Sequence, residues 1–124
     1  MSPARIAATA VLGARIAYGL GLVAAPARLT GSWLGPAGAH PPTQVPVRGV
    51  GAREIALHGV ALAATLRDAP VRPWLAVSFA GDLADIAATA AAGSALPGGA
   101  VPKTAAAAGV SAVLTAIVAV AVDS

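Results

Sequence analysis

Four stretches of about twenty residues, each dominated by alanine, valine, leucine and isoleucine, are set apart by clusters of proline and glycine. An α-helix rises about 1.5 Å per residue, so a stretch of that length covers about 30 Å of hydrocarbon. The spacing predicts helices over about 4–25, 47–66, 73–92 and 103–122. Pro26 stops the first, "HPPTQVP" (His40 to Pro46) precedes the second, and "GSALPGGAVP" (Gly93 to Pro102) ends the third. The expectation is an all-α polytopic membrane protein, a four-transmembrane-helix bundle forming a single domain over residues 1–124. Composition agrees: 10% of residues are charged and 57% hydrophobic, with a mean hydropathy of +0.79, whereas soluble domains carry about a quarter charged residues.

The net charge of +3 comes from scattered arginines and one lysine with no basic run, so a nucleic-acid groove is not supported. The absence of cysteine excludes disulfides, zinc–thiolate sites and iron–sulfur clusters. No glycine-rich nucleotide motif and no nucleophile elbow is present, and no cofactor is implied. Arg15 interrupts the first apolar stretch, which argues against reading it as a cleaved signal peptide. Arg5, Arg67 and Arg72 share one side of the predicted topology, against Arg28, Arg48 and Lys103 on the other. The positive-inside rule then puts both termini in the cytoplasm and the chain in the plasma membrane.

The segment between the first two helices, "PARLTGSWLGPAGAHPPTQ", is too long for a tight turn. Trp33, Leu29 and Leu34 suggest that it lies at the membrane interface, and Trp74 opens the third helix in the same way. Gly13, Ala17 and Gly21, and likewise Ala108, Ala112 and Ala116, recur every four residues and predict faces for close helix packing. The last helix has no ionisable residue within it, so it reads as structural or as a face for a second copy of the chain. "LGARIAYGLGLVAA" (Leu12 to Ala25) faintly echoes "VGAREIALHGVALAA" (Val50 to Ala64), with Arg15 and Arg53 in register.

Charged side chains inside these apolar stretches are the functional signal. With helix centres near Arg15, Leu57 and Asp82, the residues Arg15, His58 and Asp82 share the midplane. Arg53, Glu54 and Asp85 fall about 5 Å toward the non-cytoplasmic side. Each charge at the centre of a lone helix costs at least about 2.5 to 3.5 kcal/mol, so all are expected to point inward and pair. Two arginines face three carboxylates, Glu54, Asp82 and Asp85, which leaves one negative charge for a proton or for His58 to cancel. Glu54 and His58, four apart, share a helical face, as do Asp82 and Asp85, three apart. Tyr18, one turn from Arg15, is placed to line the same cavity.

The expected function is a polar pocket for a small or lipophilic ligand, with lipid as the surrounding partner. In an enzyme of isomerase, hydratase or cyclase type, Glu54, His58, Asp82 and Asp85 supply acid and base, while Arg15, Tyr18 and Arg53 hold the ligand. In a proton-coupled transporter, working as a homodimer, the same carboxylates carry the proton. In a structural subunit the arginine–carboxylate pairs only join helices. Two adjacent arginines argue against a metal site.

At "RGVGAREIALHGVALAA" and "GDLADIAAT" the chain resembles a family of small, uncharacterised four-helix membrane proteins of actinobacteria, related to a fungal domain of unknown function. The family pattern is an arginine in helix one, R-x-x-G-x-R-[ED] at helix two and D-x-x-D in helix three. It is matched by Arg15, by Arg48, Gly51, Arg53 and Glu54, and by Asp82 and Asp85. The resemblance implies the topology and no particular activity. His58 stands where many members have an apolar or small residue.

Overall fold

A computed structural model describes residues 1–122, and within them every regular element is helical. The α-helices are α1 (Pro3–Ala24), α2 (Pro26–Leu34), α3 (Pro41–Leu66), α4 (Arg72–Ala92) and α5 (Ala100–Val122), with short 3-10 turns at Gly35–Ala39 and Gly93–Ala95. Three of them, α1, α4 and α5, are long and apolar enough to cross a membrane. The expected count of four is corrected by α3: Arg48, Arg53, Glu54 and His58 keep its hydropathy too low.

Helix α3 also begins six residues earlier than the sequence spacing implies. Pro41 and Pro42 fill its first turn, where a missing N–H leaves no bond unmade, and Pro46 is carried inside the helix. The prolines read as a breaker therefore start the element. The expected interfacial segment forms α2 and the 3-10 turn after it. Helix α2 is fastened to the long helices by two contacts: Leu29 lies where a Cβ on Gly21 would stand, and Trp33 Nε1–H donates to Thr89 Oγ1 at 3.2 Å.

The long helices pack pairwise, α1 on α3 and α4 on α5, and contacts of α1 with α5 and α3 with α4 join the pairs. The α1–α3 approach is closest at Gly19 and Gly51. A Cβ on Gly19 would lie 2.8 Å from the Gly51 carbonyl oxygen, and one on Gly51 would lie 2.7 Å from that of Gly19. Gly13, placed by the sequence in a close-packing stripe with Ala17 and Gly21, has open space beside it and Ala17 is exposed. In the alanine stripe of α5, Ala112 is buried while Ala108 and Ala116 are half-buried.

Arginines close several helix ends. Arg5 donates to the Thr65 carbonyl near the end of α3, Arg48 to that of Val23 at the end of α1, and Arg72 to that of Ala119 near the end of α5. Each adds a donor to a carbonyl in the last turn of a helix and puts positive charge at the negative end of the dipole. The Arg5 and Arg72 bonds tie the start of α1 to the end of α3 and the start of α4 to the end of α5, at one end of the molecule. That end holds the apolar core of Ala8, Leu12, Ala61, Val71, Leu75, Val118 and Val122. The opposite half holds the buried carboxylates Glu54 and Asp82 with Arg15.

Candidate functional site

Arg15 is the centre of the polar half. Its Nε–H donates to Glu54 Oε2 at 2.9 Å and an Nη2–H to Glu54 Oε1 at 3.1 Å, a two-pronged pair between α1 and α3. Its Nη1 donates to Asp82 Oδ2 at 2.9 Å, and Nη2 lies 2.8 Å from Asp82 Oδ1, a second pair that reaches α4. Ser111 Oγ, on α5, accepts from Nη1 as well. A guanidinium has five N–H donors in a planar fork, and these partners engage the whole fork. One arginine thereby joins all four long helices.

Glu54 and Asp82 are 5% and 3% exposed, so neither carboxylate meets bulk water. Removing an ion from water is repaid only where geometry is good and the remaining hydrogen bonds are made. The two bidentate pairs meet that condition. The antiparallel α1–α3 contact at Gly19 and Gly51 makes the reach possible, because Gly19 is one turn from Arg15 and Gly51 one turn from Glu54.

His58 continues the network away from Arg15. Its Nδ1–H donates to the Glu54 carbonyl oxygen at 2.8 Å and stands 3.2 Å from Glu54 Oε2, as the four-residue spacing predicts. Its Nε2 is 2.8 Å from Ser78 Oγ on α4. Both Nδ1 contacts are acceptors, so Nδ1 carries a proton, and Ser78 Oγ is the partner of Nε2. His58 and Ser78 are buried at 1% and 2% exposure.

A cavity of about 350 Å³ lies beside the cluster. Arg15, Glu54, Asp82 and Ser111 border it, together with Tyr18 and Asp85; Leu29 and Trp33 come from α2, and Lys103, Thr104 and Ala107 from the start of α5. It therefore runs from the ion cluster toward the end of the molecule that carries α2. Asp85 is half-buried and, among the described residues, has no ion-pair partner within 4 Å.

Of the seven residues singled out from the sequence, Arg15, Glu54, Asp82, Asp85 and Tyr18 border the cavity, and His58 stands behind Glu54. Tyr18 does so while 48% exposed. Arg53 is the correction. It is exposed, not turned inward, and makes no ion pair within 4 Å among the described residues. The reason is angular: Glu54 faces Arg15, and the adjacent position on a helix is rotated by about 100°.

Ser78, Ser111 and Lys103 were missed as site residues. The two serines lie in apolar helices where a hydroxyl carries no signal until a charged partner is seen across the interface. The last helix, read as purely structural, supplies Ser111 to Arg15 and a wall to the cavity. Among the described residues no group of three or more His, Asp or Glu is placed to hold a metal ion. No family model matches this chain, and neither a curated protein nor a solved structure shows a significant match to it.

Proposed function

We propose that this chain is a multi-pass protein of the plasma membrane whose cavity binds a small ligand with an apolar body and a polar group. The observation that carries the proposal is the cavity itself: about 350 Å³, floored by charged side chains and walled by Leu29, Trp33, Val50 and alanines of α5. Ligand sites are commonly about 300 to 1,000 Å³, mostly apolar with a few convergent polar groups. Intramembrane ionisable residues mark such sites more often than they serve packing alone. The end bearing Arg5, Arg67 and Arg72 faces the cytoplasm in this proposal, so the cavity lies toward the opposite face. Arg15 is fully engaged, so the carboxylate that a ligand meets without an arginine already on it is Asp85.

Mass spectrometry of the protein purified in mild detergent tests the proposal. The wild type is expected to carry a lipophilic small molecule that Ala108→Phe, which fills the cavity wall, excludes while the protein still elutes as a folded species. Equal recovery of the same molecule from both would sink the pocket.

Proton-coupled transport is the second reading. It is favoured by the excess of carboxylate at Arg15 and by the hydrogen-bonded run from Glu54 through His58 to Ser78. Glu54→Gln would then abolish proton-coupled uptake into vesicles while insertion persists. Membership of the small actinobacterial four-helix family belongs to the same proposal and rests on Arg15, the Arg48 to Glu54 motif and the Asp82, Asp85 pair.

A further inference from the structure

We infer, building on the pocket proposed above, that its ligand is an amphiphilic monocation: a protonated or quaternary amine on an apolar body, its nitrogen set against Asp85. Charge around the cavity is the first argument. Its lining holds two cations, Arg15 and Lys103, and three carboxylates, Glu54, Asp82 and Asp85. Glu54 and Asp82 consume the whole Arg15 fork together with Ser111, so Arg15 has no donor left for an anionic ligand. Lys103 is exposed in the first turn of α5, and Arg53 is exposed and not part of the lining. The lining as a whole therefore carries one more negative charge than positive, and Asp85 is its carboxylate without an ion pair within 4 Å among the described residues, with the exposed Arg53 acting on it only from outside the lining.

The wall is the second argument. Tyr18 and Trp33 both border the cavity, two of only four aromatic side chains in the chain. Trp33 is held in place by its bond to Thr89. Aromatic rings attract a cation within about 6 Å of their faces, most strongly where water is excluded. Apolar surface from Leu29, Val50 and the α5 alanines suits the body of an amphiphile. Two-sided recognition of this kind, a carboxylate with aromatic and aliphatic walls, selects an organic cation over a bare metal ion.

The test is a fluorescence titration in mild detergent. Trp74→Phe leaves Trp33, at the cavity wall, as the sole tryptophan reporter. Three probes of similar shape are compared: benzyltrimethylammonium, its uncharged carbon analogue neopentylbenzene, and benzylsulfonate. The cation is expected to bind saturably and at least about tenfold tighter than the other two. Asp85→Asn should remove that advantage, Asp85→Glu should keep it, and Lys103→Gln should enlarge it a few-fold. If neopentylbenzene or benzylsulfonate binds as tightly as the cation, or if Asp85→Asn retains the preference, the ligand class is wrong and the pocket stands. If none of the three gives saturable binding, the pocket itself is refuted along with its ligand.

Discussion

The tripeptide Gly-Ala-Arg occurs twice, at Gly13 to Arg15 in α1 and at Gly51 to Arg53 in α3, and the two copies are used in opposite ways. In α1 the glycine looks into open space and the arginine reaches inward to two carboxylates. In α3 the glycine presses on Gly19 and the arginine is exposed. Positions two apart on a helix are rotated by about 200°, so glycine and arginine cannot both face the same neighbour. Each copy had to commit one of them. The comparison teaches that an arginine in an apolar helix becomes a site only when the opposing helix places carboxylates at its height.

The strongest way to break the comparison is to delete both arginines in turn. Arg15→Ala strands Glu54 and Asp82 without their cation, and the expected loss is about 3 to 5 kcal/mol of stability, the usual cost of breaking a buried pair from one side. Arg53→Ala should stay within about 0.5 kcal/mol, as at other exposed positions. Both are read from the fraction of folded protein across a denaturing-detergent titration. Adding Glu54→Gln and Asp82→Asn to an Arg15→Met background should recover much of the loss, because the stranded charge is then gone.

The glycines sharpen the same contrast at a smaller scale. Gly51→Ala forces a methyl to within 2.7 Å of the Gly19 carbonyl oxygen, and the helices must separate at about 1 to 3 kcal/mol. The gap would also lengthen the Arg15–Glu54 pair. Gly13→Ala meets nothing within 4 Å and should stabilise α1 by about 0.5 to 1 kcal/mol through helix propensity. The same titration separates the two, and an equal response would deny that the α1–α3 contact is tight.

Smallest of all is the contrast between hydroxyls. Ser111→Ala removes an acceptor from a charged donor, worth about 1.5 to 3 kcal/mol in favourable cases and less here because Arg15 keeps both carboxylates. Ser94→Ala, at an exposed position, should be silent.

Much of the fold was legible because hydrocarbon-length apolar segments have few solutions. The long helices, the inward placement of Arg15 with Asp82 and the Glu54–His58 pairing all follow from spacing and cost. The start of α3 was misplaced because proline is ambiguous: it ends a helix from within but initiates one from its first turn. Of the stripe at Gly13, Ala17 and Gly21, Gly21 packs closely on Leu29 of α2 while Gly13 has open space and Ala17 is exposed, because many α1 positions are small and periodicity alone does not say which of them touches a neighbour.

By itself, the order of residues determined that the chain is helical, that Arg15 would pair inward with carboxylates of neighbouring helices, and which carboxylates shared a face with which neighbour. Those are consequences of periodicity along one helix and of the free energy of charge in an apolar medium. Only the tertiary structure decided that Arg15 and not Arg53 is the shared cation, that Ser78 and Ser111 complete the network, and that a cavity opens beside Asp85. The rotation of one helix against another is set by where two backbones come closest. Here that point is Gly19 against Gly51.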